Sequence, residues 1–463
     1  MKNRRKNRRT RDSRKVEAQQ TSIVALNEEA TGPSSSGVGR RDFLKLSLAA
    51  GIGMAAPMIF VRKATAQPGD RVLKVVQWKH FVPDYDKYFN DVFAKEFGEK
   101  HKCKVEVDYV GTADLPTAIA ADISRGGGHD VFHLNGTGAA LYDKVLVDVS
   151  DLANQLAKAH GGWIPFAQSI GQVHGKWLAI PSWYIAYPYI VNAGYFKEVG
   201  ESYTDKTSWH DLLRIGAKLK KAGHPIGIPY SQTPDANDNI LPMMWSFKAY
   251  MFDQAGNIAF KKKEIVEVLK FGADLFQQTM TDEVLSWDDS SNNRFIASGK
   301  GAVVCNPISA YRTAAKDNPD VYRNLDIDKT PLGVGGVRVN YGRTMSYGIY
   351  NFSKQQDLAK EFLLAMNSEA LQGMEASTGY NNPFLSGLYK KPMPVIGHEP
   401  KLELLQDFYK DVRFIGFPGP MTKVATAMYA KFIVPTMFAE VAKGKNPRAA
   451  MEDAETKLRA IPV

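Results

Sequence analysis

The chain has 463 residues, 44% of them hydrophobic, two cysteines and a formal charge of +10. The charge is lopsided: residues 1–66 hold fourteen Lys/Arg against five Asp/Glu, while the remainder holds 45 against 44, so the bulk of the chain exerts no global pull on a nucleic-acid backbone. Cys103 and Cys305 stand far apart without CxxC or CxxH spacing, which argues against zinc ligation and favours two free thiols.

Residues 1–38 are rich in Arg and Ser and lack apolar periodicity, as an extended leader does. Arg40 and Arg41 follow, then Asp42-Phe43-Leu44-Lys45 and an apolar run from Leu46 to Val61 diluted by Gly51 and Gly53. Ala64-Thr65-Ala66 has the small-x-small pattern of a signal-peptidase site, with cleavage after Ala66. A basic start, an apolar middle and a small-residue end make an export signal. The arginine pair resembles the twin-arginine motif, with Gly39 where that motif usually has Ser or Thr. No cysteine sits at the cleavage site, so no lipid anchor is expected, and no later run reaches the ~18 apolar residues that span a bilayer.

The rest of the chain, residues 67–463, suits two domains by length. Strands are expected at Arg71–Trp78, Lys104–Val110 and His129–Leu134. Helices fall between them: Asp84–His101, with Tyr85, Tyr88, Phe89, Val92, Phe93 and Phe97 at helical spacing, and Asp114–Ser124. Strand–helix alternation with short connections implies an α/β layer with parallel pairing, and ligands gather beyond the carboxyl ends of such strands. Leu178–Val191 reads as an apolar, aromatic extended segment. Ser208–Lys221 reads as a Ser-capped amphipathic helix. Further helices are expected at Lys263–Thr279, Asn293–Ser298, Gln356–Met366, Thr422–Glu440 and Pro447–Ala460, with strands at Gly301–Asn306 and Tyr347–Phe352.

Six segments in order resemble a known family. They are His129-Asp130-Val131-Phe132, Gly175 to Pro181 (GKWLAIP), Tyr189 to Phe196 (YIVNAGYF), Thr207 to Leu213 (TSWHDLL), Phe295 to Val303 (FIASGKGAV) and Ser353 to Phe362 (SKQQDLAKEF). Together they are similar to the extracellular solute-binding proteins of ABC importers, in the group that holds many sugar binders. The resemblance implies an α/β, two-lobe periplasmic-binding-protein fold of type II with the ligand in the interlobe cleft. Lobe 1 would be 67–185 plus 345–378 and lobe 2 186–344 plus 379–463, with crossings near Tyr184–Pro188, Thr344–Tyr347 and Thr378–Asn382. It also implies that the closed form is presented to a membrane permease; the leader adds the twin-arginine translocase as a partner in export, the charge balance argues against a nucleic-acid partner, and a monomer is expected.

A sugar needs flat aromatic faces and neutral or acidic hydrogen-bond partners, an amino acid an arginine fork, a polyamine several carboxylates, a ferric ion tyrosinates or histidines. Position in the chain nominates Trp78 and His80 after the first strand, Asn135 after the third, and Trp183, Tyr184 and Tyr187 at the first crossing. Asp288, Asn306 and Tyr311 flank the 301–306 strand, and Arg343, Tyr347 and Asn381 mark the later crossings. Each has a plainer reading: the aromatics as core, Asn135 as a turn former, Asp288 as a helix cap. The mixture fits a carbohydrate or polyol best, with a polyamine, iron or another charged solute as the alternative. No G-x-S-x-G, H-E-x-x-H, P-loop or dinucleotide fingerprint appears, so neither catalysis, nor a cofactor, nor a metal is expected. An exported carbohydrate-active enzyme would need two converging carboxylates, which a sequence does not reveal.

Overall fold

The computed structural model describes residues 71–112, 114–390 and 392–462. The leader, with Arg40, Arg41 and Ala66, lies outside the described residues. Thr65–Val463 forms one compact unit.

Thirteen strands are found among the described residues. In chain order β1 is Val72–Trp78, β2 Lys104–Val110, β3 Val131–Asn135, β4 Gln172–Val173, β5 Lys176–Trp177, β6 Ile180–Tyr187 and β7 Tyr189–Asn192. Then come β8 Ile226–Gly227, β9 Val303–Cys305, β10 Leu325–Asp328, β11 Asn340–Ile349, β12 Asn381–Pro383 and β13 Val412–Arg413. A seven-stranded sheet runs β12-β6-β11-β3-β1-β2, with β13 paired to β11. A four-stranded sheet runs β10-β7-β9-β8, and β4 and β5 form a separate hairpin.

β1 lies parallel to both β2 and β3, as the strand–helix alternation requires. β11 turns antiparallel to β3 and β6 and closes the sheet through its middle. Every residue of β6 and β11 is buried, which explains why both read as continuous rather than alternating apolar runs.

The expected 84–101 helix forms with a local change of pitch. Pro83–Tyr88 and Lys95–His101 are α-helical, and Phe89–Ala94 between them is π-helical. Tyr85, Phe89, Phe93 and Phe97 are all buried. Four residues advance an α-helix by about 400°, so a strict four-residue stripe drifts about 40° per step. A wider π turn takes up that drift and keeps the four rings on the core. Val92, expected on the same face, is instead exposed. The Trp209–Lys221 helix opens with the Ser208 cap read from the sequence, and Asp211 makes it reciprocal: Ser208 Oγ accepts from the Asp211 amide and Asp211 accepts from the Ser208 amide. The expected 422–440 helix breaks at Phe432, whose φ is 50°, into Lys423–Ala430 and Ile433–Ala442.

The chain passes from the first sheet to the second at Pro188, between β6 and β7, where the sequence places it. The return differs. It lies in the stretch between β10 and β11, because Arg343, Thr344 and Ser346, polar enough to suggest a loop, are buried in a central strand. β12 and β13 also pair within the first sheet, so the last passage follows Arg413. The Ile433–Ala442 and Pro447–Arg459 helices then pack on the Lys262–Thr279 helix. Cys305 is buried in β9 and Cys103 half-buried before β2; both are free thiols. Among the described residues no single helix is long and apolar enough to cross a membrane.

Candidate functional site

Where the two sheets face each other a cavity of about 590 Å³ is walled by residues of both. The first sheet supplies Phe81 and Asp84 after β1, Thr112 after β2, Tyr187 at the end of β6 and Arg343 of β11. The far wall is Asp289, Ser290 and Asn293, Asn306 after β9, and Arg312, Thr313 and Lys316 of the Ser309–Asp317 helix. Thr378 and Tyr380 complete it. Several of these groups lie beyond strand ends, as expected for open α/β sheets.

The floor is a buried ion cluster. Thr233 caps the Pro234–Ser246 helix, which places Asp235 in its first turn, where the helix dipole favours a carboxylate. Arg343 Nε donates to Asp238 Oδ2 at 2.9 Å and Nη2 to Asp235 Oδ1 at 3.0 Å, with a further Nη2 contact to Asp238. Tyr187 donates to Asp235 at 3.1 Å, Asn292 to Asp235 at 2.7 Å and Tyr429 to Asp238 at 2.7 Å. The guanidinium also lies 5.4 Å from the Tyr187 ring centre. Two carboxylates thus share one cation and three neutral donors. Burial pushes the Asp238 carboxyl up to about 6, against the pull of Arg343. Burial opposes the Arg343 charge too, yet Asp238 and the other neighbours hold its pKa well above the ordinary value.

Above this floor stand further polar groups. Asp289 is exposed at the cavity wall with no hydrogen-bond partner among the described residues, and partial desolvation, then Asp235, raises its pKa. Arg312 reaches Glu399 and the Thr378 carbonyl only at 3.5 and 3.4 Å, and its buried Nε is unpartnered. Phe81 is 54% exposed, its ring edge-on to Trp78 at 5.2 Å.

Of the twelve residues nominated by sequence, Tyr187, Asn306 and Arg343 line this cavity. Asn306 is fixed there by donating to Asn293 Oδ1 at 2.8 Å and to Ser309 Oγ at 3.3 Å. Five others form a supporting layer behind Phe81 and Tyr380. His80 Nδ1 accepts from the Val82 amide at 2.9 Å, leaving Nε2 to donate to Asn381 Oδ1 at 3.0 Å. Burial lowers the His80 pKa to about 4, so the ring is neutral. The Trp78 amide donates to His133 Nδ1, Tyr347 stacks on His133 at 4.7 Å, and Trp183 tilts against both.

The remaining four do not line the cavity. Tyr184 points to the other face of β6, into Phe384 and Phe414. Tyr311 is buried and donates to Glu399 at 3.2 Å. Asp288 is tied into its own turn by the Ser290 amide, Ser291 and Arg294; it lies two residues before the N-cap of the next helix, Ser290, and is not the cap itself. Asn135 is half-buried at the end of β3, and Gly136 behind it takes φ 66° beside the Arg343 stem. Asp235 and Asp238 carry no signal that a sequence reading picks out, and neither Phe81, beyond the first strand, nor Asp289, beside Asp288, stands among the twelve. The run Asp235-Ala236-Asn237-Asp238-Asn239 is polar, and that every one of them is buried emerges only in the fold. Among the described residues no three His, Cys, Asp or Glu side chains converge to hold a metal ion.

The family model described as bacterial extracellular solute-binding protein matches residues 82–373, well over half of the chain and both walls of the cavity. The chain belongs to this family. Its members bind solutes, and this solute-binding protein is accordingly a binder rather than an enzyme. No curated protein sequence matches the chain. Solved structures do. Maltose-bound MalE3 of T. maritima superposes with a TM-score of 0.70 at 16% identity, covering 84% of this chain and 99% of that one. A sugar transporter protein of Arthrobacter chlorophenolicus with bound laminaribiose gives 0.70 at 15%, covering 85% and 100%. An ABC transporter solute-binding protein of Agrobacterium radiobacter in complex with ribitol gives 0.70 at 18%, covering 85% and 99%. The solute-binding protein therefore has the two-lobed, type II periplasmic-binding-protein fold.

Proposed function

We propose that this solute-binding protein captures a neutral sugar or polyol in the 590 Å³ cleft and delivers it to an ABC permease. The observation that carries the reading is the pairing of an open aromatic face, Phe81, with unfilled donors and acceptors on the opposite wall, Asp289 and Arg312. A sugar ring offers a C–H face to the first and hydroxyls to the second. Among the lining residues three acids, Asp84, Asp235 and Asp289, stand against three cations, Arg312, Lys316 and Arg343, with Asp238 and Glu399 behind Arg343 and Arg312. That balance disfavours a polyamine or a ferric ion, which would need an acidic or tyrosinate-rich wall. The maltose, laminaribiose and ribitol complexes of the similar folds support the same class.

The protein reaches its place of work outside the cytoplasm by twin-arginine export directed by Arg40 and Arg41, with cleavage after Ala66, and acts there as a monomer without a lipid anchor. One lobe is built on the seven-stranded sheet, with β11, β12 and β13 in it, and the other on the four-stranded sheet. Ligand closes the lobes about Pro188.

The test is a thermal-shift panel of mono- and disaccharides, polyols, amino acids, polyamines and ferric salts. A ligand at about a hundred times its Kd adds ~2.7 kcal/mol. A shift confined to sugars or polyols is expected; a shift confined to polyamine or iron refutes the site chemistry.

A further inference from the structure

We infer that residues 394–402 form a strap by which the lobe of the seven-stranded sheet clasps the other lobe beside the cleft, and that the lobes part only when it lets go. The strap belongs to the first lobe. It lies between β12 and β13, both in the seven-stranded sheet. The Ser386 and Gly387 amides ahead of it donate to the Gly162 and His160 carbonyls at 2.8 Å, and Val395 and Leu402 lie against Gly379. His398 pairs with Glu375 of the same lobe at 3.6 Å.

Two charged side chains of the strap reach the other lobe. Pro400 keeps the residue before it out of the helical region, so Glu399 stands at φ −145° and ψ 86° between the Pro394–His398 and Pro400–Leu402 turns. Its carboxylate accepts from the Tyr322 hydroxyl at 2.8 Å and the Tyr311 hydroxyl at 3.2 Å, with the Arg312 guanidinium at 3.5 Å. All three donors are carried by the Ser309–Asp317 and Pro319–Arg323 helices that follow β9. Burial, then Tyr322 and Glu399, raise the Tyr311 pKa, so the phenol remains a donor. Two residues on, Lys401 donates to the Leu325 carbonyl and lies 3.3 Å from Asp326, both of β10. Acid and base on one strap therefore each meet their complement on the other lobe.

Bonds from two phenols to one partly buried carboxylate are charge-assisted, and parting the lobes breaks both together. Arg312 also lines the cleft, and its Nη2 lies 3.4 Å from the Thr378 carbonyl of the first lobe. The clasp and the cleft thus share a residue, and the strap steadies one wall of the site.

The experiment is single-molecule energy transfer on the ligand-free full-length chain. One dye is placed on each lobe, at the exposed positions Lys176→Cys and Lys221→Cys, in a Cys103→Ser background in which Cys305 is buried. The parent is expected to give one short distance. Glu399→Gln and Tyr322→Phe are each expected to raise the fraction at longer distance about tenfold, the effect of one charge-assisted hydrogen bond. Tyr322→Phe deletes a hydroxyl and keeps the ring, so it reports even where Glu399→Gln fails to fold. His398→Gln, on the same strap but paired within its own lobe, should change nothing. A parent already spread to long distances, variants with the parent's distribution, or an equal spread in His398→Gln overturns the proposal. No solute enters the test, so its outcome is separate from that of the sugar reading.

Discussion

Replacing Arg343 by Gln removes the one cation that two buried carboxylates share. Arg343 is 6% exposed, Asp235 7% and Asp238 fully buried, so water does not substitute for the guanidinium. Truncating one partner of a buried ion pair costs roughly 3–5 kcal/mol, because the opposite charge is left uncompensated. With an unfolding entropy of ~2.1 cal/mol/K per residue over roughly 390 residues, about 4 kcal/mol lowers Tm by ~5 °C. The loss must depend on pH, and its direction is fixed. Asp238 titrates at about 6 in the folded protein against an ordinary 3.8, so its ionisation removes stability as pH rises through that window. Without Arg343 the folded pKa climbs further, and the variant's deficit is larger at pH 8 than at pH 5, where the carboxyl carries its proton. Differential scanning calorimetry of parent and variant at both pH values measures this. A Tm within about one degree of the parent at pH 8, or a deficit that grows on acidification, refutes the reasoning.

Phe81→Ala should leave Tm almost unchanged but weaken sugar binding about tenfold, since burying the exposed half of a ring contributes ~1–1.5 kcal/mol; titration calorimetry reads both sides of that statement. Burial lowers His80 to about 4 and His133 to about 3, from 6.5, so folded-state stability falls as pH drops below 6.5 and the loss is complete only near those values. Urea midpoints should therefore decline between pH 6.5 and 4, and His80→Gln should flatten part of the decline. Gly272→Ala would normally stabilise a helix by ~1 kcal/mol. Here the new Cβ would stand 2.6 Å from Phe438 Cε1, and overpacking of ~1–3 kcal/mol outweighs the gain, so the melting temperature should drop.

Most of the framework was legible in the sequence because its signals are local. A β-branched run marked β1, alternation marked β2, and Ser208 marked a helix start, while the passage near Tyr184–Pro188 came from the family resemblance. What was not legible depends on partners distant in sequence. Arg343 looks like a surface residue until Asp235 and Asp238, more than a hundred positions earlier, supply the counter-charge that lets it be buried. Tyr184 and Tyr187 look equivalent in sequence, yet the two-residue period of β6 sends one to the core and the other to the cleft. Asp288 and Asp289 are neighbours, but the first satisfies itself within its own turn, which leaves only the second available.

Pro188 is the whole of the link between β6 and β7, whereas the other two passages between the sheets are extended stretches of chain. Its ring holds φ near −65°, so this link retains a single soft torsion where any other residue would have two. In the proposed closure the path of the two halves is therefore confined most tightly at this one residue, like a door whose arc is decided by its pin and not by the panels that meet when it shuts.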